Sequence, residues 1–254
     1  MIRATRGLIL VLAVALMSAL AAGCAETRLM ADAGLGDPPG AFTHVKKMPL
    51  IEVPATAAAA GPLVVLYTGD DGWDTFDRLF TARLAANGAP TAAVSSLVYF
   101  FKGRSPKGAA ADLAALIAHY TRLWGRRDVV LAGYSYGGDD LPLIAQALPA
   151  QVLAQVRLLV LISPADRGDL TFRGASWFDL ATSDARPLAP ALEKLAGIPI
   201  LCVHSAPDPR QACDRLAIRG MTRSQVLGGH HYVGHEADVA DLILKAAAGP
   251  AGGQ

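Results

Sequence analysis

Apolar and polar positions follow two different periods along this chain. Seven short runs rich in branched apolar residues stand at 49–53, 63–67, 92–98, 129–132, 158–162, 198–204 and 224–227. The central ones lack polar alternation, as expected where helices cover both faces of a parallel sheet. Between the runs the spacing becomes helical. Residues 109–124 place Leu113, Leu116, Ile117, Tyr120, Leu123 and Trp124 on one stripe, and Gly125 stops it. Residues 236–247 do the same with Val239, Leu242, Ile243 and Ala246. Repeated strand-then-helix with short connections predicts a doubly wound α/β domain over 45–249, a mostly parallel sheet with helices on both faces. In such sheets ligands gather at the carboxyl ends of the strands.

The ends of the chain follow neither period. Arg3 and Arg6 precede a run from 7 to 22 that is apolar apart from Ser18. It is short for a membrane span and suits a secretory signal peptide, residues 1–23. The run closes as LAAGC, and Gly23 directly before Cys24 resembles a lipobox, which predicts diacylation of Cys24 and cleavage before it. An ordinary signal peptide cut at Ala19-Leu20-Ala21 is the alternative. Residues 24–44 read as a Pro/Gly-containing tether and 250–254 as a tail. The expected address is the periplasm, with a lipid anchor holding the protein to a membrane.

Composition narrows the partners. Hydrophobic residues make up 52% of the 254, charged residues 18%, and the formal net charge is +1. That suits a well-buried core. There is no basic patch, zinc-type cysteine pairing or aromatic–arginine interleaving, so nucleic acid is not an expected partner and no metal site is read. The cysteines number three, an odd count for an exported chain. If Cys24 carries lipid, Cys202 in a strand and Cys213 in the helix after it are left to pair as a structural disulfide. Otherwise they are two buried thiols.

The chemistry centres on LAGYSYGGDD, residues 131–140. A buried-strand run precedes Ser135, and DDLPLIAQAL after it reads as a helix. A strand-to-helix turn that sharp needs small residues two positions to either side, here Gly133 and Gly137. It forces the serine into a strained conformation and lifts its hydroxyl above the sheet. A glycine-rich nucleotide-binding turn would occupy the same place, but neither GxGxxG nor GxxxxGK[ST] is present.

A serine needs a base and an orienting acid, which in α/β-hydrolases follow it in the order acid, then histidine. LGGHHY, residues 227–232, supplies His230 and His231 after the last strand run. Either could serve, and the order Gly-His-x-aromatic favours His230. The acid is expected after a late strand: Asp208 in ILCVHSAPDPR, with Asp166 in LISPAD as the rival. Two backbone amides should receive an oxyanion: that of Tyr136, after the nucleophile, and that of Asp70 in YTGDDGWDTF. This chemistry requires no metal and no organic cofactor.

The segments TGDDGW, YFFKGRSPKGAAADL, GYSYGGDDLP, CVHSAPDPRQAC and LGGHHY resemble, in order, the bacterial VirJ/AcvB family of virulence-associated periplasmic proteins. The resemblance covers most of the chain from about residue 60. It implies an α/β-hydrolase fold, with Ser135 as nucleophile and a histidine of the 230–231 pair as base. It also implies roles in hydrolysing lysyl-phosphatidylglycerol and in type IV secretion. The Cys202/Cys213 spacing matches too. Asp140 departs from the pattern, standing where an apolar residue is expected.

The expected function is therefore a periplasmic serine esterase acting on an aminoacylated phospholipid. The competing class is a non-catalytic, hydrolase-like partner of a secretion system or envelope protein. Asp70, Asp71, Asp139 and Asp140 all map near Ser135, and such carboxylates would favour a cationic aminoacyl group. Equally, Asp139 and Asp140 could serve only the positive end of their helix. Residues 167–190 stand where such folds insert a cap, with Trp177 and Phe178 available either to line an acyl pocket or to pack in the core.

Overall fold

A computed structural model describes residues 48–172, 184–206, 208–209 and 211–249. The signal peptide, Cys24, the tether, the tail, Trp177 and Phe178 lie outside the described residues.

Seven strands form one sheet in the order β1-β3-β2-β4-β5-β8-β9. They are β1 (Leu50–Val53), β2 (Leu63–Tyr67), β3 (Thr91–Val94), β4 (Val129–Tyr134), β5 (Val156–Ile162), β8 (Ile200–Ser205) and β9 (Met221–Val226). Only β1 runs antiparallel to its neighbour; every other pairing in this sheet is parallel. A separate two-stranded ribbon joins β6 (Arg167–Gly168) to β7 (Arg186–Pro187), at the base of the expected cap.

The sheet is buried on both faces, which is why its central strands read as unbroken apolar runs. In β2, Val64 and Leu66 point to one layer and Leu63, Val65 and Tyr67 to the other. The first layer holds Phe76, Phe80 and Leu84 of α1 (Thr75–Ala86) with Val239 and Ile243 of α7 (Glu236–Ala248). The second holds Leu113, Leu116, Ile117 and Tyr120 of α3 (Pro106–Leu123) with Leu141 and Ile144 of α4 (Tyr136–Ala145) and Leu192 of α6 (Ala189–Lys194). Helix α3 begins at Ser105, whose hydroxyl takes the Gly108 N–H, and has Pro106 in its first turn. Gly125, at φ 63°, follows its end. A short helix, α5 (Ala150–Leu153), leads into β5. Among the described residues, no helix is long and apolar enough to cross a membrane.

The run at 92–98 is strand only as far as Val94; Ser96–Tyr99 form a short helix, α2. Packing overrides the branched apolar residues here. The Ser96 N–H is taken by Thr68 Oγ1, and the turn delivers Tyr99 and Phe100 onto Tyr67. Strand β9 starts three residues before the expected 224, because Thr222 and Arg223 are exposed on this sheet edge and break the apolar pattern. Cys213 lies in a turn rather than a helix, since the Ala212 N–H is tied to Pro164 O and the Arg223 side chain takes the carbonyls of Cys213 and Leu216.

Candidate active site

Ser135 is the step from β4 into α4, with φ 49° and ψ −119°. This backbone region is one that side-chain-bearing residues seldom adopt. The neighbouring strand holds it there: the Ser135 N–H donates to Ile162 O at 2.8 Å, and its carbonyl receives the Asp139 N–H at 3.0 Å. A Cβ at Gly133 would lie 2.4 Å from Gly137 O, and one at Gly137 would lie 2.2 Å from Tyr67 O. Backbone meets backbone on both sides of the turn, so neither position has room for a side chain.

The hydroxyl oxygen of Ser135 lies 2.9 Å from Nε2 of His230, and Nδ1 of that ring lies 2.6 Å from Oδ2 of Asp208. The Asp208 side chain is 1% exposed and the imidazole 12%. An ionised carboxylate only accepts, so Nδ1 carries the hydrogen and Nε2 turns its lone pair toward the serine. Such a relay can take the serine proton as the oxygen attacks a carbonyl.

The loop carrying His230 is held through its own Gly229 and Tyr232 by Ser163, Val203 and Ser205, three partners that the sequence pattern does not mark. The Gly229 N–H donates to Ser205 Oγ at 3.0 Å. Tyr232, fully buried and at φ 50°, donates its hydroxyl to Val203 O at 3.2 Å and pairs with Ser163 Oγ at 2.8 Å. Burial raises the Tyr232 phenol above its ordinary pKa. Gly228 permits the turn: at φ 102°, a Cβ there would fall 2.5 Å from the Tyr232 carbonyl carbon. The aromatic of LGGHHY was visible in the sequence; its anchoring role was not.

The sequence profile of the bacterial virulence protein (VirJ) family matches residues 62–249. This chain belongs to the VirJ family. Among solved structures, Est1E from Butyrivibrio proteoclasticus superposes with a TM-score of 0.58 at 15% identity, covering 78% of this chain and 91% of that one. The naproxen esterase from Bacillus subtilis gives 0.52 at 14%, covering 79% and 88%. The esterase domain of a Rhodothermus marinus protein gives 0.53 at 13%, covering 78% and 90%. At these identities the likeness establishes the α/β-hydrolase fold. No curated protein matches the chain.

In this VirJ-family chain the remaining candidates separate into three groups. The first adjoins the serine. The Tyr136 N–H is the first amide of α4, which has no carbonyl one turn earlier to receive it. A Cβ at Gly69 would sit 3.6 Å from Ser135 Cβ, so the loop leading to half-buried Asp70 lies against Ser135.

The second group flanks His230. His231 is half exposed, and its Nδ1 lies 3.0 Å from the Tyr134 hydroxyl. That hydroxyl also donates to His230 O at 3.2 Å, so its one hydrogen is committed and His231 Nδ1 is the donor to it. His231 Nδ1 is also 3.9 Å from Asp74. Asp71, Asp74 and His231 hold ligand atoms within 4.8 Å of one another. A divalent cation could bridge that spacing, but solvated acidic groups commonly adopt it without one. Asp74, the N-cap of α1, was not singled out in the sequence.

The third group is structural, and it corrects one expected substrate contact, Asp140. Asp140 is 0% exposed and accepts the N–H groups of Asp169 and Leu170 on one oxygen, at 3.0 and 3.1 Å. Burial pushes its carboxyl up to about 7. Asp139 accepts the Ala165 N–H at 2.6 Å, and burial likewise raises its carboxyl well above the usual range. Both brace the loop after β5 against α4, and fully buried Asp140 has no surface to offer a substrate. Asp166, the rival acid, is exposed on the turn into β6, and Nδ1 of His230 is already taken by Asp208. Cys202 and Cys213 are joined by a disulfide.

Proposed function

We propose that this protein is an exported serine esterase whose substrate is an aminoacylated phospholipid of the lysyl-phosphatidylglycerol class. The observation that carries the reading is the continuous hydrogen-bond chain Ser135–His230–Asp208, at 2.9 and 2.6 Å, on the strand ends of an α/β-hydrolase fold. His230 Nε2 takes the hydroxyl proton as Ser135 Oγ bonds to the ester carbonyl carbon. The carbonyl oxygen becomes an oxyanion received by the backbone amides of Tyr136 and Asp70. When the tetrahedral centre collapses, the ester C–O bond breaks. His230 returns the proton to the departing alkoxide, leaving an acyl-serine, and water then repeats the sequence to release the amino acid. Asp208 keeps the imidazole in the right tautomer and stabilises its cation.

Support for a cationic acyl group comes from Asp71 and Asp74 beside His231, whose ring centroid is 5.4 Å from that of His230. Carboxylates there favour an ammonium and disfavour an anionic acyl chain. The family's virulence description and the expected lipoprotein signal fit a membrane substrate outside the cytosol.

Two measurements test this. A labelled fluorophosphonate should modify the wild-type protein and spare Ser135→Ala. If Ser135→Ala keeps the protein's biological role, a binding scaffold for a secretion or envelope partner is the better description. Turnover of a lysyl ester should exceed that of its Nε-acetylated counterpart, and equal rates would remove the cationic-substrate reading.

A further inference from the structure

Asp208, the acid of the relay, lies midway between Cys202 and Cys213. We propose that this disulfide is a positioning element for the relay: it closes the loop on which Asp208 rides, and so makes hydrolytic competence depend on folding in an oxidising compartment. The proposal rests on the Ser135–His230–Asp208 reading above.

The near end of the loop is secure. Cys202 and Ser205 belong to β8, paired on both sides by β5 and β9 at Cys202. Past Ser205, the described residues up to Ala212 form no helix or strand, yet the carboxylate they carry is almost wholly buried and meets the imidazole at 2.6 Å. A loop of that kind needs its far end fixed as well. The far end is held by the Ala212 N–H to Pro164 O at 2.6 Å, by Gln211 Oε1 accepting the Cys213 N–H at 2.8 Å, and by Arg223. Arg223 donates Nε to Cys213 O at 2.8 Å and Nη2 to Leu216 O at 2.6 Å. These bonds fix the far end to the edge strand and to the loop after β5. The disulfide alone ties it covalently to β8, the strand that delivers the loop.

Chains made under reducing conditions lack that tie. A dithiol reductant would open the S–S bond with two electrons, each sulfur taking a proton, and leave as its own disulfide. Both sulfurs are fully buried, so the formed bond is shielded from such attack until the loop opens. The dependence is therefore set when the protein folds.

The test is the second-order rate constant for fluorophosphonate labelling of Ser135, which needs no knowledge of the substrate. Four proteins are compared: wild type, Cys202→Ala/Cys213→Ala, Asp208→Ala, and the triple variant, each checked for folding by circular dichroism. The cysteine pair variant is expected to label about ten- to a hundredfold more slowly, the scale of a misplaced catalytic group. In the Asp208→Ala background, removing the cysteines should cost less than about twofold, because the group they position is already gone. The acid-side midpoint of the labelling rate should also move to lower pH in the pair variant, since an imidazole without its carboxylate partner protonates less readily.

Labelling of the pair variant at the wild-type rate would overturn the proposal. So would an equal loss in both backgrounds, which marks a general weakening of the fold. Asp208→Ala labelling like wild type would instead refute the relay itself. If the cysteine variants do not fold, Arg223→Gln keeps the disulfide and loosens the far end. It should slow labelling with Asp208 present and leave the rate unchanged without it; a loss of equal size in both would sink the idea.

Discussion

Replacing Gly137 by alanine tests the packing that lifts Ser135 above the sheet. The new methyl carbon would stand 2.2 Å from Tyr67 O and 2.6 Å from Thr68 O, both backbone atoms at the end of β2. Contacts under 3.0 Å are essentially never seen, so α4 has to withdraw from β2 by about 0.8 Å merely to reach that limit. The same movement lengthens the Gly137 N–H bond to Thr68 O, now 3.1 Å, out of hydrogen-bonding range. Overpacking costs about 1–3 kcal/mol and the lost bond about 1 kcal/mol, which puts the destabilisation at about 2–4 kcal/mol. Ser135 and the Tyr136 amide move with the helix. A comparable stretch of the 2.9 Å bond to His230 breaks it, and a shift of that size costs about a hundredfold in rate. Urea denaturation measures the first effect and fluorophosphonate labelling the second. Gly197→Ala is the control, because a Cβ there meets nothing within 4 Å. Gly137→Ala with wild-type stability and labelling would refute the interlocked turn.

His230→Ala should abolish labelling of Ser135, whereas His231→Gln should keep it within a few-fold of wild type, since His231 bonds to Tyr134 and not along the relay. Loss of labelling in both would reopen the choice between the two histidines. Asp140 titrates higher in the folded chain, at about 7, than an ordinary carboxyl, so the unfolded chain loses this proton first as pH rises. Its contribution to stability is complete below about pH 4 and is lost as pH rises to about 7. Asp140→Asn should therefore show a smaller drop in urea stability between pH 5 and pH 8 than wild type. A drop of unchanged size would show that Asp140 is not the group responsible. Asp77 and Asp139, raised by burial in the same sense, leave part of the slope in place.

The sheet was readable because apolar runs are the direct signature of strands buried on both faces, and five of its seven strands follow the expected runs to within two residues. The two misreadings have physical causes. At 95–98 the chain turns to bury Tyr99 and Phe100, and a local pattern cannot encode where aromatic residues must go. At Thr222 and Arg223 an edge strand carries exposed polar residues, so its apolar signal begins late. The glycine-flanked serine was readable because close approach of two backbones imposes a strict residue requirement. The roles of Asp139 and Asp140 were not. A carboxylate beside a nucleophile looks the same in sequence whether it faces a ligand or accepts amides from a loop close to thirty residues away.

The three relay groups come from three different strand ends, and none fixes its own position. Ser135 is set by two glycines that let α4 seat on β2 and by an amide bond to β5. His230 hangs from Ser205 at the end of β8 and from Tyr232, which is anchored to β5 and β8 through Ser163 and Val203. Asp208 rides on a loop fixed to β8 by the disulfide and to β9 by Arg223. Strand β5 or β8 supplies at least one support to each of the three groups, and the two are neighbours in the sheet. Their parallel pairing from Leu159 to Val203 is therefore the reference against which all three side chains are aligned. Damage to a support should lower the labelling rate with less effect on folding than damage to that pairing, because each support holds one group whereas the β5–β8 register holds the whole relay.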